Sequence, residues 1–181
     1  MCAVFNPFDL LNEVRKDKGY DWSKINNISN DLFKKFKKGE INLDSSDEKL
    51  LRLAFFTALR IYNIIPRTSI RRIYNEITNI KNVANKDYDN VDEWEKKVNA
   101  SINKAVATLS YIHRRESSKV KGKAKIESIK FMNNVLMTAL SKTSIEIEKS
   151  TSRKKKLEFI NSLYFFVQSI VAFYEFFNSE H

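Results

Sequence analysis

Only three glycines and two prolines punctuate a chain of 181 residues. Glycine supplies the positive backbone angles that tight turns need, and proline interrupts the helical hydrogen-bond ladder. A β-rich fold of this length needs many such turns. Their scarcity points to long helices joined by short polar loops, and so to an all-α fold. Hydrophobic residues make up 43% of the chain, enough to give those helices a shared core.

Apolar spacing and capping residues locate the helices. Asn6-Pro7 followed by Phe8, Leu10, Leu11 and Val14 predicts a short amphipathic helix with proline in its first turn, ending near Gly19. Ser29 or Asn30 is placed to cap a second short helix carrying Leu32, Phe33 and Phe36, closed by Gly39. Residues 1–45 read as an N-terminal helical extension and residues 46–181 as the core domain. Ser45-Ser46-Asp47-Glu48 opens a helix through Leu50, Leu53, Phe55, Ala58 and Ile61, apolar over a wide face and so central. Ile65-Pro66 ends it, because the residue before proline avoids the helical region. Thr68 or Ser69 caps the next helix, whose Ile70, Ile73, Ile77, Ile80 and Ala84 form a one-sided stripe.

A polar loop at residues 85–90 leads to a long helix opened by Asp92 and Glu93 and carrying Trp94, Val98, Ile102, Ala105, Leu109 and Ile112. Residues 117–122 interrupt it. A further helix runs through Ile129, Met132, Leu136, Leu140 and Ile147, and Thr151 or Ser152 caps the last one. That last helix is apolar around most of its circumference, with Glu158, Asn161, Gln168 and Glu175 as a narrow polar seam. Residues 163–177 are 15 in number and include Gln168, Ser169 and Glu175. A membrane span needs about 20 mostly apolar residues, so a buried core helix is expected and no membrane partner.

Catalysis needs a positioned acid, base, nucleophile or metal, and the sequence offers little of this. The histidines are His113 and His181, with no pair at ligand spacing, and no glycine-rich phosphate loop occurs. Acidic pairs such as Asp87/Asp89 and Asp92/Glu93 fall at loops and helix starts, where capping explains them. No enzyme activity, metal or cofactor is expected. The single cysteine, Cys2, excludes an internal disulfide and a thiolate zinc site, which suits a reducing cytoplasm. The first residues lack the cationic start and apolar run of a signal peptide.

What the sequence does offer is charge: net +10, with a pI of about 9.6. Such a balance biases the chain towards nucleic acid, an anionic surface or an acidic protein. Residues 114–130 hold seven basic side chains (Arg114, Arg115, Lys119, Lys121, Lys123, Lys125, Lys130) against Glu116 and Glu127, a net of +5. Arg153-Lys154-Lys155-Lys156 is a second cluster, for which a solvated face with internal ion pairs serves equally well. Arg67, Arg71 and Arg72 form a third at a helix start. There Arg71, Asn75, Thr78 and Asn82 share a face beside the isoleucine stripe. These side chains donate to phosphates, and a helix N-terminus adds main-chain donors. No strands and no aromatic–basic base-reading signature are evident, and the aromatics sit at core positions. Contact with backbone and shape is therefore expected, on Arg67, Arg71, Arg72, Asn75, Arg114, Arg115, Lys121, Lys123 and Lys125.

Three runs carry a family resemblance. Thr68-Ser69-Ile70-Arg71-Arg72-Ile73-Tyr74 resembles the start of a core helix in the small subunit of type III-A CRISPR effector complexes, the Csm complex. Leu109-Ser110-Tyr111-Ile112-His113-Arg114-Arg115 resembles that family's leucine–alanine–tyrosine segment with its following arginine. Phe166-Val167-Gln168-Ser169-Ile170-Val171-Ala172-Phe173-Tyr174 is similar to its last helix. The order and rough spacing agree. Ser69 stands where the family often has glutamine, Phe173-Tyr174 replaces a tyrosine–histidine pair, and residues 1–45 exceed the usual N-terminus. The resemblance implies a compact bundle of about five helices without catalytic activity. It also implies self-associating copies that stack beside other CRISPR effector subunits and line the channel for guide RNA paired to target RNA. The family's arginine after the cap falls on Arg71, with Arg72 beside it. Two other readings remain open: a helical protein-interaction module facing an acidic partner, and a helix-turn-helix DNA-binding regulator.

Overall fold

The structure, a computed structural model, describes residues 6–17, 19–43 and 47–179. Of these, 82% are helical, so the chain is an all-α bundle. In order the helices are α1 (Pro7–Val14), α2 (Trp22–Lys38), α3 (Glu48–Ile61), α4 (Arg67–Ala84), α5 (Val91–Lys119), α6 (Lys123–Lys149) and α7 (Arg153–Ser179). Cys2, Ser45, Ser46 and His181 lie outside the described residues.

The N-terminal part differs from the sequence expectation in two places. α1 stops at Val14, and the chain then forms a two-residue antiparallel ladder, β1 (Arg15–Lys16) with β2 (Gly19–Tyr20). The Asp21 N–H closes this hairpin on the Val14 carbonyl at 2.8 Å. α2 begins at Trp22, well before the expected caps Ser29 and Asn30. Its cap is Asp21, whose carboxylate accepts from the Lys24 N–H at 3.0 Å. Ser29 is instead buried mid-helix on the stripe Ile25, Ser29, Leu32 and Phe36. Gly39 ends α2 as expected, in the left-handed region that a side chain resists. Leu10, Leu11, Val14, Ile25, Leu32 and Phe36 join the same core as the later helices.

α3 and α7 form the centre. α3 is buried nearly all round, including Thr57 and Arg60, and packs against α2, α6 and α7. Asp47 caps it by accepting from the Lys49 N–H at 2.8 Å. Phe55 meets Phe56, Phe173 and Phe177 edge-to-face at 5.2–5.4 Å. α7 is long and apolar enough to cross a membrane by length and composition, and here it packs against α3, α4 and α6. Its buried line is Ile160, Leu163, Phe166, Val167, Ile170, Tyr174 and Phe177. The Tyr174 hydroxyl donates to the Ile65 carbonyl at 2.7 Å, tying α7 to the turn that launches α4.

α4 begins at Arg67 behind Pro66, one or two residues before the expected caps Thr68 and Ser69. Proline holds the extended angles a cap position needs. Its Ile70, Ile73, Ile77, Ile80 and Ala84 are buried as the spacing predicts. Asn90 caps α5, accepting from the Glu93 N–H at 2.8 Å, and the Trp94 indole N–H donates to the Ala84 carbonyl at 2.8 Å. This bond holds the end of α4 against the start of α5, so the two helices run antiparallel. α7 starts at Arg153, with the Lys156 N–H bonded to the Ser152 carbonyl.

Phe55→Ala removes a fully buried ring from the α3–α7 contact. It is expected to cost about 3–5 kcal/mol, read from urea unfolding midpoints at constant slope.

Candidate nucleic-acid interface

Helix termini decide where positive charge collects. An uncapped N-terminus presents unpaired N–H groups and the positive end of the dipole, so acids there stabilise and bases destabilise, each by about 0.3–1 kcal/mol. α1, α3 and α5 follow that rule, with side-chain caps and an acid in the first turn. α4 and α6 break it. Neither has a side-chain cap or an acid in its first turn, and they open on Arg67 and Lys123. The start of α4 packs beside the end of α5, and three residues separate that end from the start of α6. Two cation-bearing helix starts therefore flank the end of one helix.

The seam between α4 and α5 has a defined geometry. The Ser69 hydroxyl, buried in the first turn of α4, donates to Glu116 Oε1 at 2.9 Å. Arg115 donates from Nε to the same carboxylate oxygen at 2.7 Å and from Nη2 to the Ser69 Oγ at 2.6 Å. Lys119 Nζ approaches Glu116 Oε2 at 3.4 Å. Glu116 is only 2% exposed. Burial pushes its carboxyl up, but the hydrogen bonds from Arg115 and Ser69 and the Arg115 charge outweigh this and hold it below its ordinary value. Outside this clamp stands Tyr111, 50% exposed. The guanidinium carbons of Arg72 and Arg115 each lie 5.4 Å from the centre of its ring. The result is a half-exposed aromatic ring with two cations over it.

The expected contact residues divide into paired and unpaired groups. Arg67 is bound to Glu175 at 2.6 Å and Arg115 to Glu116. Arg71, Arg72, Asn75, Arg114, Lys121, Lys123 and Lys125 are exposed, and none of their charged groups has an acidic partner within 4 Å among the described residues. The Arg153-Lys154-Lys155-Lys156 cluster is partly internal. Arg153 donates to the Lys86 carbonyl at 2.7 Å, and buried Lys156 pairs with Glu95, while Lys154 and Lys155 face outwards.

The aromatics are not all at the core positions expected of them: Tyr111 is half-exposed, as are Phe8, Trp22 and Phe165. The signal was present: Trp94, Val98, Ile102, Ala105, Leu109, Ile112 and Glu116 are one stripe at spacings of three and four, and Tyr111 lies off it. The same stripe marks Glu116 as an inward-facing acid. Among the described residues no group of three metal-binding side chains gathers.

No family model, no curated protein and no solved structure matches the chain.

Glu116 yields a pH prediction. A carboxyl depressed on folding contributes stability that is fully present above its ordinary value, 4.5, and is lost as pH falls through the lower folded value. At pH 7 Glu116→Gln is expected to be about 1–3 kcal/mol less stable than the parent in urea. The gap closes as both are titrated towards pH 3. A gap of constant size over that range contradicts the assignment.

Proposed function

We propose that this chain is a non-catalytic, cytoplasmic RNA-binding scaffold subunit of a type III-A CRISPR ribonucleoprotein. In that role copies stack beside other effector subunits and hold the backbone of guide and target RNA without reading its sequence. The resemblance of three runs to the small-subunit family motivates the specific complex. The observation that carries RNA binding is the end of α5 with its neighbours. There Arg72 and Arg115 lie over the half-exposed Tyr111 ring, and Arg71 and Arg114, exposed and without an acidic partner among the described residues, are their neighbours in sequence. Lys121, Lys123 and Lys125 continue the charge onto the uncapped start of α6.

The physics of such a surface fits a phosphate chain. Each guanidinium that neutralises a phosphate releases condensed counterions, so affinity falls with salt and is indifferent to base identity. A tyrosine face beside arginines accepts the flat side of any base, which adds affinity without sequence preference. The Glu116 clamp fixes Arg115 and stops it from adapting to a ligand. The cations left without an acidic partner among the described residues are thus Arg71, Arg72 and Arg114, and Arg115 flanks the ring from a set position.

Single-stranded RNAs of unrelated sequence, titrated by fluorescence anisotropy from low to high salt, test this reading. Binding is expected to be similar for all and to weaken steeply with salt. Arg71→Ala with Arg72→Ala is expected to lower the log–log salt slope by about 0.7 for each contact removed. Tyr111→Ala is expected to cost about 1–3 kcal/mol of affinity, with Tyr111→Phe restoring it. A preference for one sequence, a preference for duplex DNA, or binding unmoved by salt contradicts the proposal.

A further inference from the structure

Arg60 is a charged residue that the α4–α5 seam does not use. It sits near the end of α3, 5% exposed, with no carboxylate within 4 Å among the described residues. A buried unpaired charge is costly, so something must offset it. The Phe131 ring does part of this, with the guanidinium carbon 4.0 Å above its centre. The Nη1 group does the rest, donating to Ser29 Oγ at 2.9 Å and to Asn30 Oδ1 at 3.1 Å. Burial draws the pKa of Arg60 down to about 10, opposed by the charge of Glu127, which leaves it cationic at neutral pH.

The other edge of the guanidinium is unused. Among the described residues Nε is buried without a hydrogen-bond partner, and no hydrogen bond from Nη2 is found. Nε and Nη2 together are the fork that grips an oxyanion through two parallel bonds. A buried donor left unpaired in a folded protein calls for an explanation, such as a bound ion or ligand. Arg60 lines a cleft of about 360 Å³ between α2, α3 and α6. The Asn26 and Asn134 amides and Lys130 also line it, and Glu127 stands there as the one acid. Because Asn30 offers its oxygen to Arg60, its amide N–H groups remain as donors.

We propose that this cleft binds a phosphate group, gripped by Arg60 and drawn in by Lys130. The donors outnumber what a planar carboxylate takes up, and a tetrahedral oxyanion has lone pairs for them all. Nε is shielded from solvent in this structure, so a two-bond grip through it requires the cleft to open around Arg60. The phosphate comes either from an RNA chain or from a free phosphate ester, and both share this chemistry. The site is separate from the Tyr111 seam and does not depend on it.

Calorimetric titration of the full chain with inorganic phosphate, at constant ionic strength set by chloride, tests the proposal. Saturable binding at one site is expected. Arg60→Lys keeps the charge but loses the fork and is expected to weaken binding by about tenfold. Since Arg60 is buried, two exposed variants guard against misfolding. Lys130→Ala is expected to weaken binding and Glu127→Gln to strengthen it. In a background carrying Arg71→Ala and Arg72→Ala, the weakening of phosphate binding by Arg60→Lys is expected to persist undiminished, which separates this site from the RNA surface. Displacement of bound phosphate by homopolymeric RNA assigns the group to an RNA chain. Phosphate binding that RNA does not disturb assigns it to a free ester. Absence of saturable binding, or binding insensitive to Arg60→Lys, Lys130→Ala and Glu127→Gln alike, overturns the proposal.

Discussion

Phe55 touches Phe56 on its own helix and Phe173 and Phe177 on α7, and this aromatic contact sets the register between α3 and α7. The consequences run outwards from it. With α7 placed, Tyr174 reaches the Ile65 carbonyl and fixes the turn before Pro66. That turn aims α4, and the isoleucine stripe of α4 then lies between α5 and α7. Arg71 and Arg72 follow at the opposite side of the same helix, facing solvent. The position of the cationic surface is thus a packing result. Charge repulsion among these side chains works against it, and the core outweighs that repulsion because each buried phenylalanine contributes about 1.5–3 kcal/mol.

The chain gives up local stability where its cations gather. α1, α3 and α5 begin with caps and acids, which stabilise an isolated helix start. α4 and α6 begin with neither, and carry arginine and lysine against the dipole. Departures of this kind concentrate at functional sites. At α4 the deficit is partly made good from outside. The Glu116 carboxylate on α5 meets Ser69 in the first turn of α4, so a distant acid serves where a local one is missing. At α6 no such acid is bonded among the described residues, and Lys121, Lys123 and Lys125 stay exposed.

Much of the fold was legible, because helices record their buried faces at spacings of three and four. The stripes of α4 and α5 and the closing Gly39 fall where the periodicity predicts. α2 starts earlier than its cap-type residues suggest for a physical reason. Ser29 resembles a cap by type, yet it lies on the stripe of Ile25, Leu32 and Phe36, where its hydroxyl serves Arg60. Cap chemistry and buried-polar chemistry use the same residue types, and only the stripe separates them. The seam was half legible: the basic residues were visible, and their division into paired and free was not. That division depends on which helix lies opposite, as with Arg67 and Glu175, which are far apart in sequence.

With 32 basic residues against 22 acidic ones, internal pairing cannot neutralise the chain. Some cations pair on the surface, as Arg67 does with Glu175, and others are held where a charge falls on an apolar stripe. Lys156 continues the line of Ile160, Leu163 and Val167, and it is buried against Glu95. Glu116 continues the line of Leu109 and Ile112, and it captures Arg115. Charges on a stripe are thus drawn into the scaffold. Charges off it that have no acidic partner among the described residues, such as Arg71, Arg72, Arg114 and the lysines opening α6, keep their hydration and their reach. Arg60 differs from these, since it is buried with no carboxylate within 4 Å among the described residues and its Nε lacks a hydrogen-bond partner there. An apolar side chain of similar volume would fill the space without the desolvation cost, so the proposed phosphate supplies a reason for a cation there that packing alone does not.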